Sequence, residues 1–128
     1  MRDYKKEYEE RVAFIRDLLE KSGAKGIVYG NSGGKDSALV GILCKASCDN
    51  TVGIIMPCAS KRNFGQDAED ARIAADQYGI ETRFIDLTPV REAEMRQLSA
   101  LTEVTPAAAV NIAPRLRMTT LYAVAASE

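Results

Sequence analysis

Apolar residues at Tyr4, Tyr8, Val12, Ile15 and Leu19 recur at steps of three and four among charged neighbours, a spacing that predicts an amphipathic helix. Ser22-Gly23 ends it, because Gly23 is free to take the left-handed cap conformation. The pattern then changes. "AKGIVYG" is a short, mostly apolar run of the kind a buried strand shows, and a glycine-rich turn follows it. "SALVGILCKAS" is apolar nearly all round, as expected of a helix lying against a sheet. "TVGIIMP" predicts a second buried strand, stopped at Pro57, which has no N–H for a ladder. "CASKRNFG" reads as a loop, with Lys61 and Arg62 as solvated cations. "QDAEDARIAADQYG" predicts a helix with Asp67, Glu69 and Asp70 complementing the dipole in its first turn and Gly79 at its end. "IETRFIDL" predicts a third strand, and "TPVREAEMRQL" a helix opened by Thr88 as N-cap with Pro89 in the first turn. After a looser stretch through "SALTEVTPAAAV", a last helix is expected from about Asn111 to near the chain end.

Helices alternating with short apolar strands indicate an α/β fold, a parallel sheet flanked by helices. A length of 128 residues fits one domain, expected to span 1–128, and no repeat, low-complexity segment or linker divides it. The apolar fraction of 46 % with 27 % charged residues belongs to a folded globular chain. A net charge of −1 supplies no broad attraction to nucleic acid or to an anionic membrane. No run reaches the about eighteen apolar residues of a membrane span, and the charged opening "MRDYKKEYEERV" lacks the core of a secretory signal. The 3 cysteines are odd in number and lack C-x-x-C spacing, so free thiols in a reducing, cytoplasmic compartment are expected. Cys44 reads as a small core hydrophobe, and Cys58, just past the second strand, as an accessible thiol that no chemistry here requires. With 0 histidines, a Ser-His-Asp triad and imidazole-based zinc sites are excluded.

The candidate chemistry lies in "GNSGGKDSALVG", which leaves the first strand at Gly30 and enters a helix near Asp36 or Ser37. Glycines there let successive backbone N–H groups face one concavity, and the helix start adds unpaired N–H groups and the positive end of its dipole. A phosphate or pyrophosphate at the carboxyl end of a parallel sheet is the ligand such a turn suits. Two common fingerprints fail. A Walker A alignment on Gly34-Lys35 puts Tyr29 at the first glycine and Asp36 at the magnesium-binding hydroxyl, and no Gly-x-Gly exists for a dinucleotide turn.

The run Ser32 to Ser37 resembles, in full, the S-G-G-x-D-S pyrophosphate loop of the N-type ATP pyrophosphatases. "NIAPRLRMTTLYAVA" resembles the N-x-x-A-R-x-R-M helix of ammonia-dependent NAD synthetases within that superfamily, and "IIMPCAS" and "QDAEDARIAADQYGIETRFIDL" are similar to the family's next elements, from Tyr4 to Glu128 in all. The resemblance implies an adenine nucleotide alpha-hydrolase-like (Rossmann-like) fold, incomplete at the C-terminus, since family members continue into a further strand, a Gly-Thr loop and a second magnesium carboxylate. It implies amidation of deamido-NAD to NAD by ammonia through an acyl-adenylate, with ATP leaving as AMP and pyrophosphate, in a homodimer. It assigns Gly30, Asn31, Ser32, Gly33, Gly34, Lys35, Asp36 and Ser37, with the backbone at Met56, to ATP. Asp36 would also hold Mg2+ and, with Ser37, serve catalysis, and Arg115 would contact deamido-NAD. Arg117, two residues on, cannot share its face and reads as a structural partner. Lys35 departs from the family, where a neutral residue is commoner, and is shared with tRNA-modifying and sulfur-transferring relatives. Their activity, or ATP binding without turnover, is the alternative reading.

Overall fold

The computed structural model describes residues 3–58 and 68–128. Helix α1 (Tyr4–Ser22) starts where the Asp3 side chain accepts from the Lys6 N–H at 3.1 Å and ends at Gly23, whose φ of 71° is left-handed. Val12 is buried and Ile15 and Leu19 are half-buried against the next helix, but Tyr4 and Tyr8, the first two members of the apolar stripe, project outward.

Three strands, β1 (Ile27–Gly30), β2 (Thr51–Ile55) and β3 (Glu81–Phe84), form a parallel sheet in that order. Ile27 stands opposite Thr51, and Val52 opposite Glu81. Every residue of the central strand β2 is buried, as its unbroken apolar run requires when helices cover both faces. β3 is an edge strand, and Glu81, Arg83 and Phe84 are exposed on it. The ladders are shorter than the apolar runs, and single bonds hold the flanking segments alongside. Asn31 N–H donates to Ile54 O at 2.9 Å, and Leu87 N–H to Pro57 O at 2.9 Å.

Side chains alternate between the sheet's faces. Tyr29 and Ile55 turn toward helices α2 (Lys35–Ser47) and α3 (Ala68–Gln77), where Tyr29 packs with Ala75 and Ile80, and Ile55 with Ala71. The Tyr29 phenol lies between two glycines: a Cβ on Gly41 of α2 would sit 2.5 Å from its Oη, and one on Gly53 of β2 2.9 Å from it. Val52, Ile54 and Met56 turn the other way and join Leu87 in a core. Helix α6 (Ile112–Ser127) covers that core with Ala113, Leu116, Leu121 and Val124. Its start lies by Met56, beyond the carboxyl end of β2, and its far end lies by Gly26 and Val52, at the sheet's opposite margin.

The elements follow the expected order with three adjustments. α2 begins at Lys35, one or two residues ahead of the expected start. The expected loose stretch is largely helical, because α4 (Thr88–Leu101) runs three residues longer and a further helix, α5 (Pro106–Val110), follows it. Thr105-Pro106 repeats the cap signal of Thr88-Pro89, and the Thr105 hydroxyl accepts from Ala108 N–H at 3.2 Å. At the start of α4 it is Asp86 Oδ1 that receives the Thr88 N–H, at 2.9 Å. α3 carries Glu69 and Asp70 in its first turn and is followed by Gly79 with φ 66°. Asp67, Lys61 and Arg62 lie outside the described residues.

Candidate phosphate-binding site

β1 delivers the chain to the sheet's carboxyl edge at Gly30, where a side chain would crowd the core: a Cβ there would lie 3.2 Å from Met56 Cε. Asn31 follows, 4 % exposed, with its side chain turned inward. Its Nδ2 donates to Ala71 O of α3 at 2.9 Å, and its Oδ1 accepts from Gly33 N–H at 3.2 Å. Gly33 has φ 84°, a conformation that strains any residue with a Cβ. The two serines close the turn. Ser32 N–H and Ser32 Oγ both donate to Ser37 Oγ, at 3.3 and 3.1 Å, and Ser37 Oγ donates to Gly34 O at 3.1 Å. Gly34 N–H donates weakly to Ser32 Oγ at 3.4 Å.

The loop's donors therefore fall into two sets. The N–H groups of Ser32, Gly33 and Gly34 are held by side-chain oxygens. Those of Lys35, Asp36 and Ser37, in the first turn of α2, have no acceptor among the described residues, and the helix dipole points its positive end there. The Lys35 and Asp36 side chains are exposed and make no hydrogen bond or ion pair among the described residues. No group of three His, Cys, Asp or Glu among the described residues is placed to hold a metal ion.

Met56 has a buried side chain, and its carbonyl accepts from Arg117 Nε at 3.0 Å. That bond ties α6 to the end of β2 and gives Arg117 its structural role. Arg115 is exposed on the first turns of α6, where its Nη1 donates to Asn111 O at 3.1 Å. The structure thus gathers residues 30–37, Met56 and the start of α6 at one edge of the sheet. The inward turn of Asn31 and the grip of Arg117 on Met56 are not visible in any sequence pattern. Both are contacts across the fold.

Cys58 is buried, not accessible, with its thiol 3.7 Å from Leu87 O, because the strand extension carries it under α4's start. Cys44 is buried too. Burial, and then the neighbouring Cys48, push its thiol above the ordinary range, so it stays protonated at neutral pH. Burial, with Cys44 adding, likewise raises the Tyr29 phenol.

The chain matches the NAD synthase family over residues 7–128. It is 40 % identical over 121 residues to the NH3-dependent NAD(+) synthetase of Finegoldia magna, an alignment covering 94 % of this chain and 48 % of that one. Among solved structures it superposes on the NH3-dependent NAD synthetase of Campylobacter jejuni in complex with the nitrate ion, with TM-score 0.83 and 32 % identity over 98 % of this chain and 53 % of that one. It also superposes on the NMN synthetase of Francisella tularensis, with TM-score 0.89 and 28 % identity over 99 % of this chain and 52 % of that one. The chain spans about half the length of the curated relatives it matches.

Proposed function

The chain belongs to the NAD synthase family, and from that premise we propose that it carries the ATP-binding part of an ammonia-dependent NAD synthetase. The observation that supports this most is the row of amides at Lys35, Asp36 and Ser37, without acceptors among the described residues, next to a loop whose other donors are held by hydroxyls. Phosphate oxygens replace hydroxyl oxygens readily, since charged acceptors make the stronger hydrogen bonds. In the bound state the loop of residues 32–37 grips the β- and γ-phosphates, and the segment at Met56 lies beside the adenine. Arg115, exposed at the same edge, meets the anionic second substrate.

Magnesium fits this site in one manner only. Among the described residues one exposed carboxylate, Asp36, does not make a cage, but magnesium is ordinarily held by one or two carboxylates plus substrate phosphates and water. Asp36 would hold an ion that arrives on the nucleotide, and the ion would neutralise phosphate charge. In the proposed reaction the nicotinate carboxylate of deamido-NAD attacks the α-phosphorus of ATP. Pyrophosphate leaves, ammonia attacks the acyl-adenylate carbonyl, and AMP departs with NAD formed. The residues' task is to position and to stabilise charge, with Ser37 and backbone amides of the loop and of the first turn of α2 as donors. No side-chain nucleophile is needed. A cytoplasmic homodimer completes the reading.

The test is release of pyrophosphate and AMP from ATP with deamido-NAD and ammonium, with nicotinate mononucleotide and ammonium, and with tRNA. Release that needs deamido-NAD supports the reading, and Asp36→Asn lowers it by about 10²-fold. Release driven by nicotinate mononucleotide reassigns the product to NMN, the product in the name of the Francisella relative. Release driven by tRNA overturns the family reaction for this chain. ATP binding with no release under any of the three leaves a nucleotide-binding role and overturns turnover by the isolated chain.

A further inference from the structure

We infer that Asn31 is a positioning residue: its side chain clasps the glycine loop to α3 and is not itself a ligand contact. The carboxamide uses both ends. Nδ2 donates to Ala71 O, 40 residues away in sequence, and Oδ1 accepts from Gly33 N–H inside the loop, while the backbone N–H of Asn31 extends the ladder to Ile54 O. The bond to Ala71 O is buried and the bond from Gly33 N–H part-buried, so both are shielded from water to different degrees. Asn31 is also the second rung of a pair. Tyr29 and Asn31 point to the same side of the sheet, two residues apart, and meet Ala75 and Ala71, one helical turn apart on α3. Through the two bonds of the carboxamide, α3 is linked to Gly33.

Resting on the reading of residues 32–37 as a pyrophosphate grip, the clasp divides labour within the loop. The Gly33 N–H is withheld from the ligand and spent on holding the positive φ of that residue. The ligand's donors are then Ser32 and Gly34, once their hydroxyl partners exchange for phosphate oxygen, and the amides of Lys35 to Ser37. A loop fixed before binding loses less freedom on binding, so the clasp raises affinity without touching the ligand.

Two variants separate the bonds. Asn31→Leu fills the site but removes donor and acceptor, whereas Asn31→Asp keeps an acceptor for Gly33 and loses the donor to Ala71 O. Ile80→Val, on the same face but away from the loop, is the control for a general loss of stability. Magnesium pyrophosphate and magnesium ATP are titrated calorimetrically into each chain, and exchange of the Gly33 amide is followed by NMR without ligand. Asn31→Leu is expected to weaken pyrophosphate binding about five- to thirtyfold and to speed Gly33 exchange. Asn31→Asp, which sets a carboxylate against Ala71 O and a negative charge in the loop, should weaken binding while keeping Gly33 protected. Ile80→Val should lower the melting temperature and leave affinity unchanged. Wild-type affinity in Asn31→Leu, or unchanged Gly33 exchange, overturns the clasp, and so does an equal loss of affinity in Ile80→Val. Should Asn31→Leu not fold, wild-type affinity in Asn31→Asp overturns it alone. A wild-type chain that binds neither pyrophosphate nor ATP overturns the pyrophosphate grip, and the ligand-free Gly33 exchange then still decides the clasp.

Discussion

The two faces of the sheet are built by opposite means. On the α6 face, large aliphatic side chains from both sides fill the space: Ile54, Val52, Met56 and Leu87 against Leu116, Leu121 and Val124. On the α2 and α3 face the space is made by leaving side chains out. Gly41, Gly53, Ala71 and Ala75 bring the helices close, and one large ring, Tyr29, fills the gap between them. Close approach is what lets α3 offer a backbone carbonyl to Asn31. The α6 face holds the end of β2 and the α3 face holds the glycine loop, so one supplies stability and the other precision.

If so, the faces should fail in opposite directions. Truncation should cost most on the α6 face. Ile54→Ala or Leu87→Ala, both 2 % exposed, removes packed methyl groups and leaves a cavity, for a loss of about 2–5 kcal/mol in denaturant unfolding. A loss below about 1 kcal/mol would mean that the face repacks and is no rigid support.

Arg117 and Arg115 divide the α6 face from its rim. Arg117→Ala cuts a charge-assisted bond to Met56 O and should cost about 1.5–3 kcal/mol, because a half-buried carbonyl loses its donor. Arg115→Ala, exposed, should change stability by no more than about 0.5 kcal/mol while weakening binding of deamido-NAD, the role proposed for it. Equal stability losses in the two would erase the distinction between brace and ligand contact.

On the α3 face the damaging change is an addition. Gly53→Ala would place a Cβ 2.9 Å from the Tyr29 hydroxyl and 3.0 Å from its ring, an overpacking expected to cost about 1–3 kcal/mol. Tyr29→Leu removes the ring and should relieve that clash. The double variant is then more stable than the sum of the single losses implies, by about 0.5–3 kcal/mol, measured as a double-mutant cycle. Strict additivity would show that the ring does not set the spacing of this face.

How much of this was legible beforehand follows the same division. Period-two and period-3.6 patterns report which positions are apolar, and they place five of the six described helices and all three strands in order, together with the turn that carries Ser32 to Ser37. They say nothing about what an exposed face lacks. Tyr4 and Tyr8 continue the stripe of α1 but stay exposed. Cys58 looked accessible because its burial comes from Leu87, 29 residues on. The bonds that shape the site span still longer separations, 40 residues for Asn31 to Ala71 and 61 for Arg117 to Met56, and depend on which helix lies over which strand. α5 was legible in principle, since Thr105-Pro106 repeats a recognised start signal. The small, polar-flanked run "PAAAV" is too short for periodicity to register.

The smallest effect belongs to an ion-pair cluster that reaches across the sheet's margin. Arg83 of the edge strand donates from Nη1 to Glu128 Oε2 at 2.6 Å and from Nε to Glu81 Oε2 at 2.9 Å, joining β3 to the end of α6. The hydrogen bond from Arg83 holds the Glu128 carboxyl below the ordinary carboxylate range, opposed by desolvation and helped least by the Arg83 charge. A depressed folded value means the ionised form is favoured by folding. Its contribution is therefore present above the ordinary carboxylate range and lost as the pH falls through the folded value. Both side chains are about half exposed, so solvent and salt screen the pair. Thermal unfolding of the wild type and Glu128→Gln should differ slightly at neutral pH and low salt. The difference should shrink as the pH falls through the depressed folded value of the carboxylate, and vanish in about 1 M salt. A difference that survived both conditions would place the origin of the effect in packing of the α6 terminus, and the margin would then belong with the α6 face after all.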